Sequence, residues 1–307
     1  MTDEATAGIY QAVLSAMDAG DDDFVVKALA DVLRQAPNDG EAHWLIGRFF
    51  ALHQQYAQAA EQYAIACRLA PRLSRVEFRV GASLVSLEDC AGSEWPAKLL
   101  GEFGRGRYGI ETLAFHPGDV VIDAGAHIGA VSIALAKMNP EITILAYEPS
   151  AENYEMLVKN LRANAITNVT PVKRAVWGSK GTAELVWSAE DTGGASLCLG
   201  EATTRRLEGR GWSRETVQCD TLDDVFADNG ISHCAWLKLD CEGAEFEIVK
   251  RPAKFQQIAA ASVEMHIIGD RLKGGSAEWV NDFLGPLHDL PGSLRVVVAS
   301  VVGVIGS

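Results

Sequence analysis

The stretch DVVIDAGAHIG, residues 119–129, decides the fold of this chain, and AVSIALAKM follows it directly. A short apolar run ends in an acid, turns on glycines and continues into a segment with the composition of a buried helix. That is the opening strand–turn–helix unit of an α/β sheet, whose ligands bind outside the carboxyl ends of the strands. Beyond Pro117 the same alternation continues. Strands are predicted over 120–123, 142–147, 169–176, 235–240, 260–265 and 294–300, with helices over 129–138, 153–164, 222–228, 245–251 and 277–287. Near-continuous apolar strands alternating with helices imply a mostly parallel sheet covered on both faces. An insertion over 182–217 breaks the rhythm, with two strands expected to flank a loop DTGGASL.

The ends of successive strands carry the chemistry. Gly125 permits a tight turn with close backbone approach, and Gly129 lets the helix pack near the strand. A dinucleotide site needs a second glycine where the backbone meets a pyrophosphate, and here that place holds His127. An acidic Asp123 before the turn suits the ammonium-bearing methionine end of S-adenosylmethionine. Asp123, Gly125, Ala126, His127, Ile128 and Gly129 therefore form the expected cofactor turn. Glu148, with Pro149 and Asn153 after it, is placed to accept from ribose hydroxyls, and the backbone of Arg174, Ala175 and Val176 to line an adenine slot. The fourth strand ends KLDCEGAE and the fifth VEMH, which brings Lys238, Asp240, Glu242, Glu264 and His266 to the lip of the same cleft. Asp240, Glu242 and His266 are the candidate catalytic set. A neutral His266 would take a hydroxyl proton near pH 7, with the carboxylates orienting it or binding a divalent ion of unspecified identity. The plainer reading is that Glu242 and Glu245 cap the helix that follows.

The N-terminal third is different. Pro37 and Pro71 stand 34 residues apart, the tetratricopeptide period. In that frame Ile46, Gly47, Phe50, Ala59, Tyr63 and Ala66 fill the places of small and aromatic residues between two antiparallel helices, and Val13, Ala16, Val25, Leu29 and Val32 form a degenerate earlier copy. Helices are predicted over 9–19, 24–35, 41–53 and 56–69, within a tetratricopeptide-like segment 1–73 that precedes a catalytic domain 74–307. Two repeats bury too little on their own, so they are expected to lean on the catalytic domain, on a second copy or on a protein partner. A strand pair is expected around 76–87, before a glycine-broken stretch GEFGRGRYG.

Composition sets the exclusions. With 48% hydrophobic and 22% charged residues, the 307-residue chain has the balance of a packed protein. Its net charge of −14 repels phosphate backbones and acidic membrane surfaces, so neither nucleic acid nor membrane is an expected partner. The basic stretch Arg205, Arg206, Arg210 and Arg214 reads as a solvated face. Six cysteines without a CxxC pair, and an acidic start MTDEATAG without a signal-peptide pattern, point to a cytoplasmic protein. The apolar run 296–306 is too short to span a bilayer as a helix and reads as a buried strand.

Taken in order, DVVIDAGAHIG, AYEPSAENYEMLVKN, AVWGSKG, GGASL, TLDD, WLKLDCEGAE and VEMH resemble the FkbM-type methyltransferases over residues 119–266. The resemblance implies a class I fold, S-adenosylmethionine as donor with S-adenosylhomocysteine as product, and O-methylation of a hydroxyl on a sugar, polyketide or other secondary metabolite. It also implies cofactor roles for Asp123, Gly125, Gly129 and Glu148. Two features depart from the family: His127 stands where Asn is common, and the antiparallel hairpin that usually ends a class I sheet is expected either to be incomplete or to be supplied by 301–305. The rival readings are a nicotinamide oxidoreductase, disfavoured by His127, and a tetratricopeptide interaction protein with a relic methyltransferase fold, disfavoured by the intact strand-end acids.

Overall fold

The computed structural model describes residues 4–198, 211–250, 254–266 and 293–298. The chain divides into two units, Met1–Arg107 and Tyr108–Ser307. The boundary therefore falls after residue 107, where the sequence places it at 73/74.

In the first unit, α1 (Glu4–Ala19) and α2 (Asp22–Gln35) precede α3 (Gly40–Leu52) and α4 (Tyr56–Leu69). Asp21 and Asp39 start α2 and α3 by accepting hydrogen bonds from Phe24 N and Ala42 N, each at 3.1 Å. Gly47 matters because a Cβ there would lie 2.9 Å from the Tyr63 ring, so α3 and α4 approach closely at this point. The hairpin of β1 (Arg75–Val80) and β2 (Ser83–Glu88), followed by α5 (Trp95–Gly104), packs on these helices. GEFG, expected as broken chain, ends α5.

Helices α3 and α4 are thus covered by residues 75–104 of the same unit. Trp44 Nε1, Tyr63 Oη and Tyr56 Oη donate to the carbonyls of Arg75, Glu77 and Arg79 at 3.0, 2.7 and 2.6 Å. Those are alternate β1 residues, so their backbone groups share the edge turned away from β2, and helix side chains satisfy it. Tyr63 Oη also accepts from Glu77 N at 3.1 Å. Tyr63→Phe should therefore lower stability by about 1–3 kcal/mol, read as the urea midpoint, because two buried backbone groups lose their partner. An unchanged midpoint would remove the edge bonds from the account.

In the second unit a six-stranded sheet runs β12 (Leu294–Val298), β11 (Ala261–Met265), β10 (Trp236–Leu239), β3 (Val120–Ala124), β4 (Thr143–Tyr147) and β5 (Val169–Val172), all neighbours parallel. Strands β10 and β11 are buried at every position, and β3 and β4 at every position but the first. Helices α6 (Ala130–Met138), α7 (Ala151–Ala163), α8 (Leu222–Asp228) and α9 (Glu245–Val249) punctuate them. Ile122, Leu145, Val225, Phe226, Leu237, Phe255 and Val263 belong to one packed core.

Two expectations change here. The strand expected over 169–176 breaks after Val172: Arg174 N turns back to Val172 O, and β6 (Ala175–Val176) joins a second sheet ordered β6-β9-β7-β8. There β7 (Gly181–Ser188) and β9 (Ser213–Asp220) pair antiparallel, and DTGGAS is itself β8 (Asp191–Ser196) where a loop was expected. Gly and Ser composition read as a turn, while pairing with β7 holds the segment extended. The helix expected over 277–287, the segment 301–305 and Arg205, Arg206 and Arg210 lie outside the described residues. Among the described residues no helix is long and apolar enough to cross a membrane.

Candidate active site

From β3 the chain proceeds through β4 and β5 to one side, and β10, β11 and β12 extend the sheet to the other. The crevice of an open parallel sheet lies at such a reversal, beyond the ends of β3 and β10. At the end of β3, Gly125 N and Ala126 N both donate to Tyr147 O at 3.0 Å. Gly125 has φ +80°, and a Cβ there would run into the carbonyl oxygen of Asp240. Only glycine meets both conditions. His127 also stands in the left-handed region, at φ +51°, which His and Asn tolerate better than most residues. That shared tolerance accounts for His127 where the resembled family commonly has Asn. Its Nε2 lies 3.0 Å from Thr192 Oγ1 in β8. Ile128 is buried and its carbonyl accepts from Asn160 Nδ2 at 2.9 Å, which ties the turn to α7.

Glu148 closes β4. Its Oε2 accepts from His127 N at 2.8 Å and its Oε1 from Ser150 N at 3.0 Å, with Asn153 Nδ2 3.5 Å away. Pro149 leads into Ser150, the N-cap of α7, and Asn153 Nδ2 also donates to Thr192 O at 2.8 Å. Burial pushes the Glu148 carboxyl up to about 7, against these hydrogen bonds and the charge of Lys238. A carboxylate oxygen has room for two donors, so Oε2 can still accept from a ribose hydroxyl. The turn and this acid fit an adenosyl group. Ala175 and Val176 are buried in the second sheet, and the Arg174 guanidinium lies 2.8 Å from Asp220 Oδ1.

Asp123 is fully buried: Ser132 Oγ donates to its Oδ2 at 2.6 Å, while its Oδ1 lies 3.2 Å from Lys238 Nζ and has no hydrogen-bond donor among the described residues. Lys238 also donates to Gly125 O at 2.7 Å and lies 3.3 Å from Asp240 Oδ2. One buried ammonium therefore joins the cofactor turn to the acidic end of the site. Burial disfavours its charge, but Asp123 and Asp240 outweigh that and raise its pKa.

Beyond β10 and β11 the acidic groups converge. His266 Nε2 lies 3.4 Å from Glu242 Oε1, 3.4 Å from Glu264 Oε1 and 3.9 Å from Asp240 Oδ1. Its Nδ1 is 3.1 Å from Glu245 Oε1. Donor atoms of Asp240, Glu242 and His266 all lie within 4.8 Å of one another. Burial works against a charged His266, yet Glu245, Glu264 and Glu242 together push it up to about 11. Burial likewise pushes Glu242 up to about 8, opposed by His266 and supported by its acidic neighbours. A neutral His266 acting as base is therefore corrected: both ring nitrogens face carboxylates, which favour the protonated ring.

Two contributors were missed from sequence. Tyr108 Oη donates to Asp240 Oδ2 at 3.0 Å across 132 positions, a separation that no local pattern signals. Glu245 was read as a helix-capping acid. It does accept from Cys241 N and Gly243 N, at 2.7 and 2.9 Å, but the same carboxylate holds His266.

A parallel sheet with this strand order, a glycine turn closing β3 and a buried acid closing β4 give the α/β fold of the class I methyltransferase type, with a crevice suited to a nucleoside. Residues 123–278 match the Methyltransferase FkbM domain, and the chain belongs to the FkbM methyltransferase family. Methyltransferase sdnD of Sordaria araneosa is 30% identical over 165 residues, which are 47% of this chain and 63% of that protein. The 31-O-demethyl-FK506 methyltransferase FkbM of Streptomyces tacrolimicus is 26% identical over 220 residues, covering 64% of this chain and 75% of that one. Among solved structures, M. jannaschii TYW2 in complex with AdoMet is similar at 25% identity and a TM-score of 0.25, over 32% of this chain and 42% of that one.

Proposed function

We propose that this protein transfers the methyl group of S-adenosylmethionine to a hydroxyl oxygen of a small molecule. The observation that carries the reading is the span of Lys238, which contacts Gly125 O of the cofactor turn and Asp240 of the carboxylate cluster, so donor and acceptor ends adjoin. S-adenosylmethionine, when bound, supplies an electrophilic methyl on a sulfonium. With that donor bound, the acceptor oxygen would form the new C–O bond as the C–S bond breaks, the electron pair staying on sulfur, and a carboxylate of the cluster would take the hydroxyl proton. Alignment of the two reactants with water excluded supplies most of the acceleration.

The test has two arms. Calorimetry should show S-adenosylhomocysteine binding and no measurable NAD binding, with Glu148→Gln weakening the former by about 10- to 100-fold, as expected for lost hydrogen bonds to a charged group. The pH profile should follow from Glu148. Its carboxyl titrates near pH 7 in the folded chain against 4.5 ordinarily, so the folded state holds the extra proton between those values. Its contribution to stability thus falls as pH rises through that window, while the ionised form that accepts ribose hydroxyls fills in. Affinity should rise about tenfold from pH 6 to pH 8 and lose that dependence in Glu148→Gln. Screening hydroxyl compounds for S-adenosylhomocysteine release, with product mass analysis, gives the second arm. Tight NAD binding, or methyl groups found only on nitrogen or carbon, would overturn the reading.

A further inference from the structure

The acidic end of the site has the donor set of a coordination sphere. His266 is 5% exposed, and its Nε2 has oxygens from three carboxylates around it at 3.4, 3.4 and 3.9 Å. Those separations exceed the roughly 2.7–3.2 Å of an N–H···O bond. They match the spacing between neighbouring donors on an ion whose bonds are about 2.1 Å long. The other ring nitrogen is already fixed by Glu245, whose carboxylate is in turn held by two backbone N–H groups and is fully buried. A buried carboxylate behind an imidazole is the outer support that ligating histidines use to set tautomer and orientation.

We infer that Asp240, Glu242 and His266 bind a divalent cation, with Glu245 orienting the imidazole and Glu264 beside the open side of the ion. Two carboxylates and one imidazole suit Mg²⁺, Mn²⁺ or Zn²⁺, and the shared chemistry is a divalent cation with oxygen and nitrogen donors. Placed at the acceptor end, such a cation draws charge from an acceptor hydroxyl and eases loss of its proton. This inference rests on reading that end of the cleft as the acceptor site.

The experiment measures the ion without cofactor or acceptor. The full-length chain, stripped with chelator, is titrated with Mn²⁺ by calorimetry and by electron paramagnetic resonance of free Mn²⁺, with Mg²⁺ and Zn²⁺ as competitors. One site per chain is expected. Asp240→Asn and Glu242→Gln should each abolish it, and Glu245→Gln should weaken it by about 10- to 100-fold. A circular dichroism spectrum and a cooperative urea transition like those of the parent certify that each variant is folded. Absence of a site for all three ions up to millimolar concentration would overturn the inference, as would equal Mn²⁺ affinity in the parent and in both Asp240→Asn and Glu242→Gln. Hydroxyl methylation without ion binding refutes the cation alone, whereas ion binding without hydroxyl methylation refutes the acceptor reading.

Discussion

Gly125→Ala should destabilise the catalytic unit by about 3 kcal/mol or more and abolish S-adenosylhomocysteine binding. Two costs add at this position. A left-handed backbone costs an alanine about 1–2 kcal/mol, and the new methyl would overlap the Asp240 carbonyl, which sits on a neighbouring strand end and cannot step aside as a side chain would. Gly230→Ala is the matched control, since Gly230 has φ +62° with nothing near its absent Cβ. It carries the backbone cost alone, so urea denaturation should separate the two variants by the overlap energy. Equal losses would mean that β3 and β10 can part at this point, and the close approach would then not hold the cofactor turn.

Lys238→Met should cost about 3–5 kcal/mol, the usual penalty for removing one partner from a buried ion pair. The ammonium is 3% exposed and within 3.3 Å of two carboxylates, of which Asp123 is wholly buried. Asp123 would be left charged without a counter-ion, and the Gly125 carbonyl would lose its donor. Because the carboxylates hold the pKa of Lys238 above its ordinary value, the charge and its contribution are fully present at neutral pH. That contribution is lost only as pH rises through the alkaline range. Adding Asp123→Asn to Lys238→Met should recover part of the loss, and the double-mutant cycle measures the coupling. A simple sum of the two losses would show that Asp123 and Lys238 act independently.

These two predictions differ in how much of them the sequence shows. Gly125 is recognisable because a strand, a turn glycine and a helix are contiguous, so the need for positive φ is written within eleven residues. Lys238 can be placed near the cleft by its strand end, but not in its pairing with Asp123, because β3 and β10 become neighbours only when the sheet is ordered. The same limit explains Asp123. Acid before a glycine turn reads as a ligand-facing group, and only the adjacent strand reveals an ammonium already beside it. An imidazole considered alone has its ordinary pKa, whereas Glu245, Glu264 and Glu242, which the fold brings beside His266, push it up.

Periodicity, strand-end chemistry and glycine placement are local properties, so the sequence by itself determined the four N-terminal helices, the β1–β2 hairpin, the parallel α/β order and the glycine turn that closes β3. Tertiary structure alone decided which groups share a desolvated space. It assigned 75–104 to the helical unit because alternate β1 carbonyls meet Trp44, Tyr56 and Tyr63. It also made DTGGAS a strand across from His127, with Ser196 Oγ donating to Glu242 O at 2.6 Å. The physical reason is the range of the forces concerned: backbone propensity acts over one or two turns of chain, whereas charge and desolvation act between whatever side chains the fold brings within a few ångströms.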